Sequence, residues 1–305
     1  MIQELTVISG KGGTGKTSVV ASFASLAENK VLVDCDVDAA DLHLVLDPHI
    51  IQREDFIGGK TSRIISEICI GCGKCAQVCR FDAISLSGPA NDLIAKTYRI
   101  DEFACEGCGL CAYICLNDAV DFSARINGEW CVSDTRCGPM VHAKLGIAEE
   151  NSGKLVAAIR RKAREIAEER QLSLIINDGS PGIGCPVISS ITGATMVLIV
   201  TEPTLSGLHD LDRVADLTRH FSIPTGVCVN KSDINPDVTE KIRVYCQEKG
   251  LNILGEIHYD TDVTYALIAA KSVVEFSHGD AAKDIKKLWG NIAEKLQAIS
   301  NDRKG

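Results

Sequence analysis

The run Gly10-Lys11-Gly12-Gly13-Thr14-Gly15-Lys16-Thr17 restricts the possible folds most, because of what stands on either side of it. Leu5 to Ile8 is an apolar run too short for a helix; it ends in Ser9-Gly10, and a helical pattern follows through Ala27. Strand, glycine loop and helix in that order, with Gly-x4-Gly-Lys-Thr in the loop, make a phosphate cradle. The glycines let successive backbone N–H groups turn toward phosphate oxygens, so Gly10, Gly12, Gly13, Thr14 and Gly15 are read as nucleotide-binding. Lys16 brings a point charge for the β- and γ-phosphates, and the Thr17 hydroxyl suits magnesium. A glycine turn that merely starts a helix needs none of this flanking context.

Val31 to Val33 is a second buried-strand run, ending in Asp34-Cys35-Asp36-Val37-Asp38-Ala39-Ala40-Asp41. Carboxylates at the C-terminal end of a strand in an open α/β sheet point into the ligand crevice. Magnesium takes only one or two carboxylates and keeps its waters, so not every aspartate here is a ligand. Asp38 and Asp41 fit a solvated, helix-capping loop equally well. Leu174 to Asn177 is a further buried strand ending in an acid, Asp178, placed to reach magnesium through water. Gly179-Ser180-Pro181-Gly182-Ile183-Gly184 then reads as a flexible switch, with the Gly182 N–H available to a γ-phosphate. Strands at Met196–Val200 and Val227–Val229 follow, the second ending in Asn230-Lys231-Ser232-Asp233, and a helix is expected from Leu208 to Phe221. The helix from Asp280 to Ser300 carries Ile285, Leu288, Trp289, Ile292 and Leu296 at helical spacing, a core-packing stripe.

Between residues 48 and 145 the strand–helix alternation stops. Two runs of identical spacing lie there, Cys69-x2-Cys72-x2-Cys75-x3-Cys79 and Cys105-x2-Cys108-x2-Cys111-x3-Cys115. This spacing resembles that of bacterial two-cluster ferredoxins, in which each run supplies most of one 4Fe–4S site. On that pattern one cluster takes Cys69, Cys72, Cys75 and Cys115, and the other takes Cys105, Cys108, Cys111 and Cys79. Zinc knuckles are the rival reading, but a knuckle needs four ligands and not two repeated sets with a three-residue final gap. Ferredoxins usually place proline after each fourth cysteine, whereas Arg80 and Leu116 stand here. Phe81-Asp82-Ala83-Ile84 and Asn117-Asp118-Ala119-Val120 are matching halves of an internal repeat. A loop is expected at Gly58-Gly59, a short strand at Arg63–Glu67, and a hairpin turn at Asn127-Gly128 between Ser123–Ile126 and Glu129–Val132. A helix from about Leu155 to Arg170 rejoins the core.

Lys11 at the head of Lys-Gly-Gly-Thr-Gly-Lys-Thr resembles the deviant Walker loop of the MinD/ParA/Mrp ATPases and of the nitrogenase iron protein. The chain as a whole resembles the MinD-superfamily ATPases that carry an inserted ferredoxin domain. This implies an α/β fold, a doubly wound, mostly parallel sheet of the P-loop NTPase (SIMIBI) type from residues 1–47 and 146–305. An α+β ferredoxin-like domain is inserted at 48–145. By the same resemblance Lys11 reaches a partner's phosphate across a nucleotide-sandwich dimer, Asp36 orients the attacking water, Asp34 helps hold the metal region and Asn230 recognises the base. The expected cofactors are ATP, Mg2+ and two 4Fe–4S clusters. Asn-Lys-x-Asp also occurs in GTPases, but the deviant loop favours ATP. The implied function is a slow ATPase whose nucleotide switch gates electron transfer through the clusters to a redox partner. The alternative is an Mrp-like cluster scaffold or carrier with an iron–sulfur acceptor protein. Either works as an ATP-dependent homodimer or paralogue heterodimer.

Six cysteines lie outside the repeated runs. Cys35, Cys228 and Cys246 sit among apolar residues as small buried hydrophobes. Cys185 resembles the switch II cluster ligand of the nitrogenase iron protein, against the simpler reading of a packed loop thiol; Cys131 and Cys137 have no second pair to complete a site. Fourteen cysteines in 305 residues, with a start that reads as a cytosolic one, fit thiolates held on metal in a reducing cytoplasm rather than disulfides. A net charge of −9 argues against nucleic acid as partner. No stretch approaches the roughly 20 apolar residues of a membrane span, and the tail Asn-Asp-Arg-Lys-Gly is not the amphipathic anchor of MinD, so no membrane partner is expected.

Overall fold

The computed structural model describes residues 2–146 and 151–302. Along the chain, β1 (Gln3–Ser9), α1 (Lys16–Leu26), β2 (Lys30–Asp34) and α2 (Leu42–Leu46) lead into the long β3 (His49–Ile64). A 3-10 turn at Ser66–Ile68 precedes α3 (Lys74–Val78), β4 (Ile84–Ser85), β5 (Arg99–Ile100) and α4 (Leu110–Tyr113). The chain returns through β6 (Val120–Thr135), β7 (Gly138–Leu145) and α5 (Ser152–Glu169). Next come β8 (Leu174–Pro181), α6 (Cys185–Ile191), β9 (Met196–Thr201), α7 (Leu205–His220), β10 (Thr225–Asn230), α8 (Pro236–Glu248) and β11 (Asn252–Ile257). Three helices close it, α9 (Asp262–Ile268), α10 (Val273–Phe276) and α11 (Asp280–Asp302). The chain divides into two compact units, residues 1–54, 130–145 and 152–305, and residues 55–129 with 146–151.

The first unit is built on a sheet of order β11-β10-β9-β1-β8-β2-β7, followed by residues 130–135 of β6. Every pair from β11 to β7 is parallel. Strands covered on both faces read as continuous apolar runs, as Val197-Leu198-Ile199-Val200 does. Successive side chains alternate between two cores. Leu198 and Val200 join Phe23 of α1 and Ile285, Leu288 and Ile292 of α11. Val197 and Ile199 join Val187 and Ile191 of α6, Leu211 and Val214 of α7 and Ile242 of α8. Helices therefore cover both faces, the doubly wound arrangement. Phe23 and Trp289 pack with ring centroids 5.1 Å apart. The expected Leu155–Arg170 helix is α5, whose buried Leu155, Val156, Ile159, Ala163 and Ile166 recur at helical spacing.

The register fixes where chemistry can occur. Asp34 at the end of β2 stands opposite Asp178 of β8, and Val7 of β1 stands opposite Asp178 from the other side. The phosphate loop leaves β1 two residues later, so loop and both acids meet at the carboxyl end of the sheet, where open α/β folds bind ligands.

The second unit has a small core of Ile64, Cys69, Ala83, Ile100, Cys111 and Ala119, with Cys75, Cys79, Cys105 and Cys115 among the partly buried residues packed against it. Its halves share a backbone: Gly71 and Gly107 have φ of 70° and 62°, Gly73 and Gly109 have 75° and 74°, and Asp82 and Asp118 both have 50°. β4 and β5 pair antiparallel, Ile84 opposite Ile100.

Three expectations about this region are corrected. Gly58-Gly59 is not a loop but lies inside β3, and Arg63–Glu67 is the end of that strand running into the 3-10 turn. Asn127-Gly128 is not a hairpin turn but lies inside β6. One contact ties the two glycine sites together: the Gly58 N–H donates to Asn127 Oδ1 at 2.8 Å. A Cβ on Gly58 would stand 2.7 Å from the Phe56 ring and 3.0 Å from that oxygen, so the glycine serves close approach rather than a turn. The compact units also differ from the 48–145 insertion bounds, since 48–54 and 130–145 belong with the first unit, β7 being paired with β2 (Leu32 opposite Met140).

Candidate functional site

In the first unit a cleft of about 660 Å³ opens over the phosphate loop, lined by Gly12, Thr14, Lys16, Asp36, Ser180 and Pro186 among others. Gly13 and Gly15 take φ of 80° and 86°, which bends the loop back to start α1 at Lys16. A Cβ on Gly12 or Gly13 would meet nothing within 4 Å, so the cradle is open on that side. Gly15 is different: there a Cβ would stand 2.3 Å from Asn230 Nδ2. That amide donates to the Thr14 carbonyl at 2.7 Å, so Asn230 buttresses the loop from beneath. Base recognition, the role implied for Asn230, is not the contact observed.

Lys16 is buried and its Nζ lies 2.5 Å from Asp178 Oδ1. Burial alone would lower its pKa, but Asp178, then Asp34 and Asp36, raise it above the ordinary lysine value. Asp34 is fully buried; burial, and next the neighbouring Asp178, raise its carboxyl well above the usual range. Its two oxygens accept from the N–H groups of Asp36 (3.1 Å) and Leu42 (3.1 Å), so it fastens both ends of the loop after β2. Asp36 lines the cleft half-buried, and burial pushes its carboxyl up to about 6. Thr17 and Asp38 line the same cleft. Two buried polar atoms at this site have no hydrogen-bond partner, Asp178 Oδ2 and Thr14 Oγ1. An orphaned carboxylate oxygen beside an open phosphate cradle is what a hydrated magnesium ion would satisfy.

The expected switch begins inside β8. Ser180 Oγ donates to the Cys35 carbonyl (2.7 Å), and Gly179 packs so closely under Ile8 that a Cβ would stand 2.6 Å from it. Gly182, at φ 91°, donates its N–H to the Ser9 carbonyl at 2.8 Å, so in this state that N–H is occupied. Lys11 lies outside the cleft with its Nζ 2.7 Å from Glu202 Oε1 and 2.9 Å from Ser206 Oγ. Glu202 escaped the sequence reading; its one signal there is an acid directly after a buried strand, as for Asp34 and Asp178. Its carboxyl, which burial would raise, is held below the usual range by Lys11 and Lys231.

In the second unit the eight cysteines gather as two crossed sets. Cys69, Cys72, Cys75 and Cys115 line a cavity of about 90 Å³, together with Ile64 and Tyr98. Cys105, Cys108, Cys111 and Cys79 line a second of about 20 Å³, with Ser62 and Phe81. A single water needs roughly 10–15 Å³ on this scale, so the first cavity has room for a multi-atom group and the second is tight. Cys72 and Cys108 are the exposed members of their sets. Cys111 Sγ donates to Ser62 Oγ (3.2 Å), and the Ala119 N–H to Cys115 Sγ (3.3 Å). Among the described residues no three His, Cys, Asp or Glu side chains are placed to hold a single metal ion.

The remaining thiols stand apart. Cys35, Cys228 and Cys246 are buried, and burial raises their pKa values, that of Cys246 to about 11. Cys131 is buried, Cys137 lies 3.8 Å from Ser25 Oγ, and Cys185 is exposed at the first turn of α6. No described helix is long and apolar enough to cross a membrane.

Residues 5–273 match the family model described as the CobQ/CobB/MinD/ParA nucleotide binding domain. An uncharacterized protein of Methanocaldococcus jannaschii is 33% identical over 304 residues, 96% of this chain and 98% of the relative. The septum site-determining protein MinD complexed with Mg-ADP from Pyrococcus horikoshii aligns with a TM-score of 0.59 at 15% identity, covering 98% of this chain and 99% of that one. The MinC:MinD cell division protein complex of Aquifex aeolicus gives 0.57 at 15% identity, covering 96% of each chain. At those identities the likeness is one of fold, an α/β P-loop NTPase with a mostly parallel sheet.

Proposed function

The chain belongs to the CobQ/CobB/MinD/ParA nucleotide-binding family, and from that premise we propose that it is a magnesium–ATP-driven switch controlling two 4Fe–4S clusters. The clusters would sit in an inserted ferredoxin-like domain, and ATP-dependent dimerisation would gate their electrons to a redox protein. One observation carries the iron–sulfur part. The two crossed four-cysteine sets each line their own cavity, and thiols make up much of the second unit's core. Among the buried residues of this core only Ile64, Ala83, Ile100 and Ala119 are aliphatic, so a bound group would add to the stability of the unit.

When bound, the clusters supply reversible one-electron chemistry. Cys69, Cys72, Cys75 and Cys115 would hold one, and Cys105, Cys108, Cys111 and Cys79 the other. In the nucleotide cleft Lys16 would neutralise phosphate charge, and Asp178, whose Oδ2 has no hydrogen-bond partner, would act with Thr17 in holding hydrated magnesium. Asp36 orients the attacking water, and Lys11 of one protomer reaches the phosphate bound by the other. Positioning and charge stabilisation carry such phosphoryl chemistry.

The test is anaerobic iron and sulfide quantification followed by EPR of the reduced protein without nucleotide, with ADP and with a non-hydrolysable ATP analogue. Two clusters per chain, with potentials or line shapes that change on the analogue, are expected. Identical spectra in all three states, with no transfer to a redox acceptor, would overturn the gating reading. A cluster carrier is the second reading, favoured by the exposure of one thiol in each set, Cys72 and Cys108, which gives a leaving cluster a path. Clusters that stay intact beside an apo-acceptor protein would exclude it.

A further inference from the structure

Lys11 is held by its own chain. Its ammonium makes an ion pair with Glu202 Oε1 at 2.7 Å and hydrogen bonds to Ser206 Oγ at 2.9 Å and Thr204 Oγ1 at 3.4 Å. Glu202 lies at the end of β9 and is more enclosed than the lysine, their side chains being 16% and 32% exposed. The other oxygen of the same carboxylate pairs with Lys231 Nζ at 3.3 Å, and Lys231 in turn reaches the Gly13 carbonyl of the phosphate loop at 3.4 Å. One carboxylate thus joins two lysines that flank the loop. A lysine ammonium has three N–H donors and all three are engaged here, by Glu202, Ser206 and Thr204, so contact with a phosphate on another protomer requires their release.

We propose that Glu202 is a positioning residue that stores Lys11 in cis in the nucleotide-free monomer, and that its release of Lys11 is a threshold for ATP-dependent dimerisation. The inference rests on the dimeric ATP switch proposed above and adds a control to it. The stored state competes with the dimer for the same ammonium, so dimerisation bears the cost of breaking the pair. Whatever strengthens the cis contact raises the protein concentration at which the dimer forms, and whatever weakens it lowers that concentration. Nucleotide binding to the monomer involves Lys16 and the loop amides, and is left nearly unchanged. Glu202 therefore separates occupancy of the site from commitment to hydrolysis.

The experiment is sedimentation velocity of the full, cluster-loaded chain with a non-hydrolysable ATP analogue, as wild type, Glu202→Gln, Lys11→Ala and the double variant. A partly exposed pair of this kind corresponds to about a fivefold change in equilibrium constant. Both protomers give up this pair on dimerising, so Glu202→Gln should lower the half-dimerisation concentration by about the square of that factor, roughly 25-fold, and the gain should vanish in the Lys11→Ala background. Ser206→Ala, which removes a second Lys11 contact without touching Lys231, should act in the same direction by about fourfold, roughly twofold for each protomer. A wild type that dimerises with the analogue while Glu202→Gln dimerises no better overturns the stored-lysine proposal alone. So does a gain that survives in Lys11→Ala, since it would then act through Lys231. A wild type that binds the analogue and stays monomeric overturns the dimeric switch itself, and this inference with it.

Discussion

Replacing Asp36 by asparagine should stabilise the nucleotide-free protein above pH 6 while abolishing hydrolysis. Burial moves its carboxyl from 3.8 to about 6, so the folded state resists the ionised form that the unfolded chain accepts. At ~1.4 kcal/mol per pH unit that difference corresponds to about 3 kcal/mol. The side chain is half-buried and water screens part of the effect, which leaves roughly 1–2 kcal/mol. The sign follows from linkage. Below about pH 4 both states hold the proton and Asp36 imposes no penalty. Between about 4 and 6 the unfolded state binds fewer protons than the folded state, so stability falls as pH rises, and above 6 the full penalty persists. The asparagine side chain does not ionise, so the advantage of Asp36→Asn should grow from pH 4 to 6 and then level off. For a chain of this length it amounts to about 1.5–3 °C in Tm. Scanning calorimetry without nucleotide, from pH 4 to 8, reads it directly. A Tm difference that is constant across that range, or a wild type more stable than the variant at pH 8, would refute the reasoning.

Lys16→Ala should abolish binding of an ATP analogue in calorimetry and leave Asp178 facing Asp34 with no cation, a loss of about 3–5 kcal/mol that shrinks toward acid pH as Asp34, whose carboxyl burial holds well above the usual range, takes up its proton. Gly15→Ala should cost about 2–3 kcal/mol, from a left-handed backbone at φ 86° and from displacing the Asn230 amide off the Thr14 carbonyl. Denaturant titration of Gly15→Ala with Asn230→Ala should then show less than the sum of the two losses. Stripping iron with a chelator should open the second unit to trypsin at Lys74, Arg80 and Lys96 before the first unit is cut. The Phe23–Trp289 pair, centroids 5.1 Å apart in the first unit, should keep its fluorescence meanwhile; a cleavage pattern unchanged by chelation would oppose a structural role for the clusters.

The parts legible in the sequence are those whose chemistry is local. The phosphate loop needs Gly13 and Gly15 within a few residues of Lys16, and a buried strand before it; both requirements are visible in one window of sequence. The cysteine spacing likewise encodes a repeated turn, and the matching φ values of Gly71 and Gly107 bear out the duplication. What stays hidden is any role set by a remote partner. Glycine serves both for turning and for close approach, and only the Asn127 side chain, 69 positions away, tells which role Gly58 has. Gly138–Leu145 contains His142 and Lys144 and lacks the unbroken apolar character of a central strand, so its pairing with β2 is not readable from composition. The local motif around Asn230 points its amide at a base, yet its partner is a carbonyl 216 residues earlier. Resemblance sends Lys11 outward, and its cis partner Glu202 lies far along the chain, at the end of β9.

The crossing of the two cysteine sets carries an arithmetic of its own. Each cavity draws three thiols from one loop and a fourth from the end of the other run, Cys115 for the first and Cys79 for the second. Neither half of the repeat can close around its contents alone. Filling one cavity fixes a residue in the run that builds the other, so the two fillings assist each other as the two ends of a clasp do. A half-loaded molecule should be scarce relative to empty and full ones, and damage at either end should be felt at both.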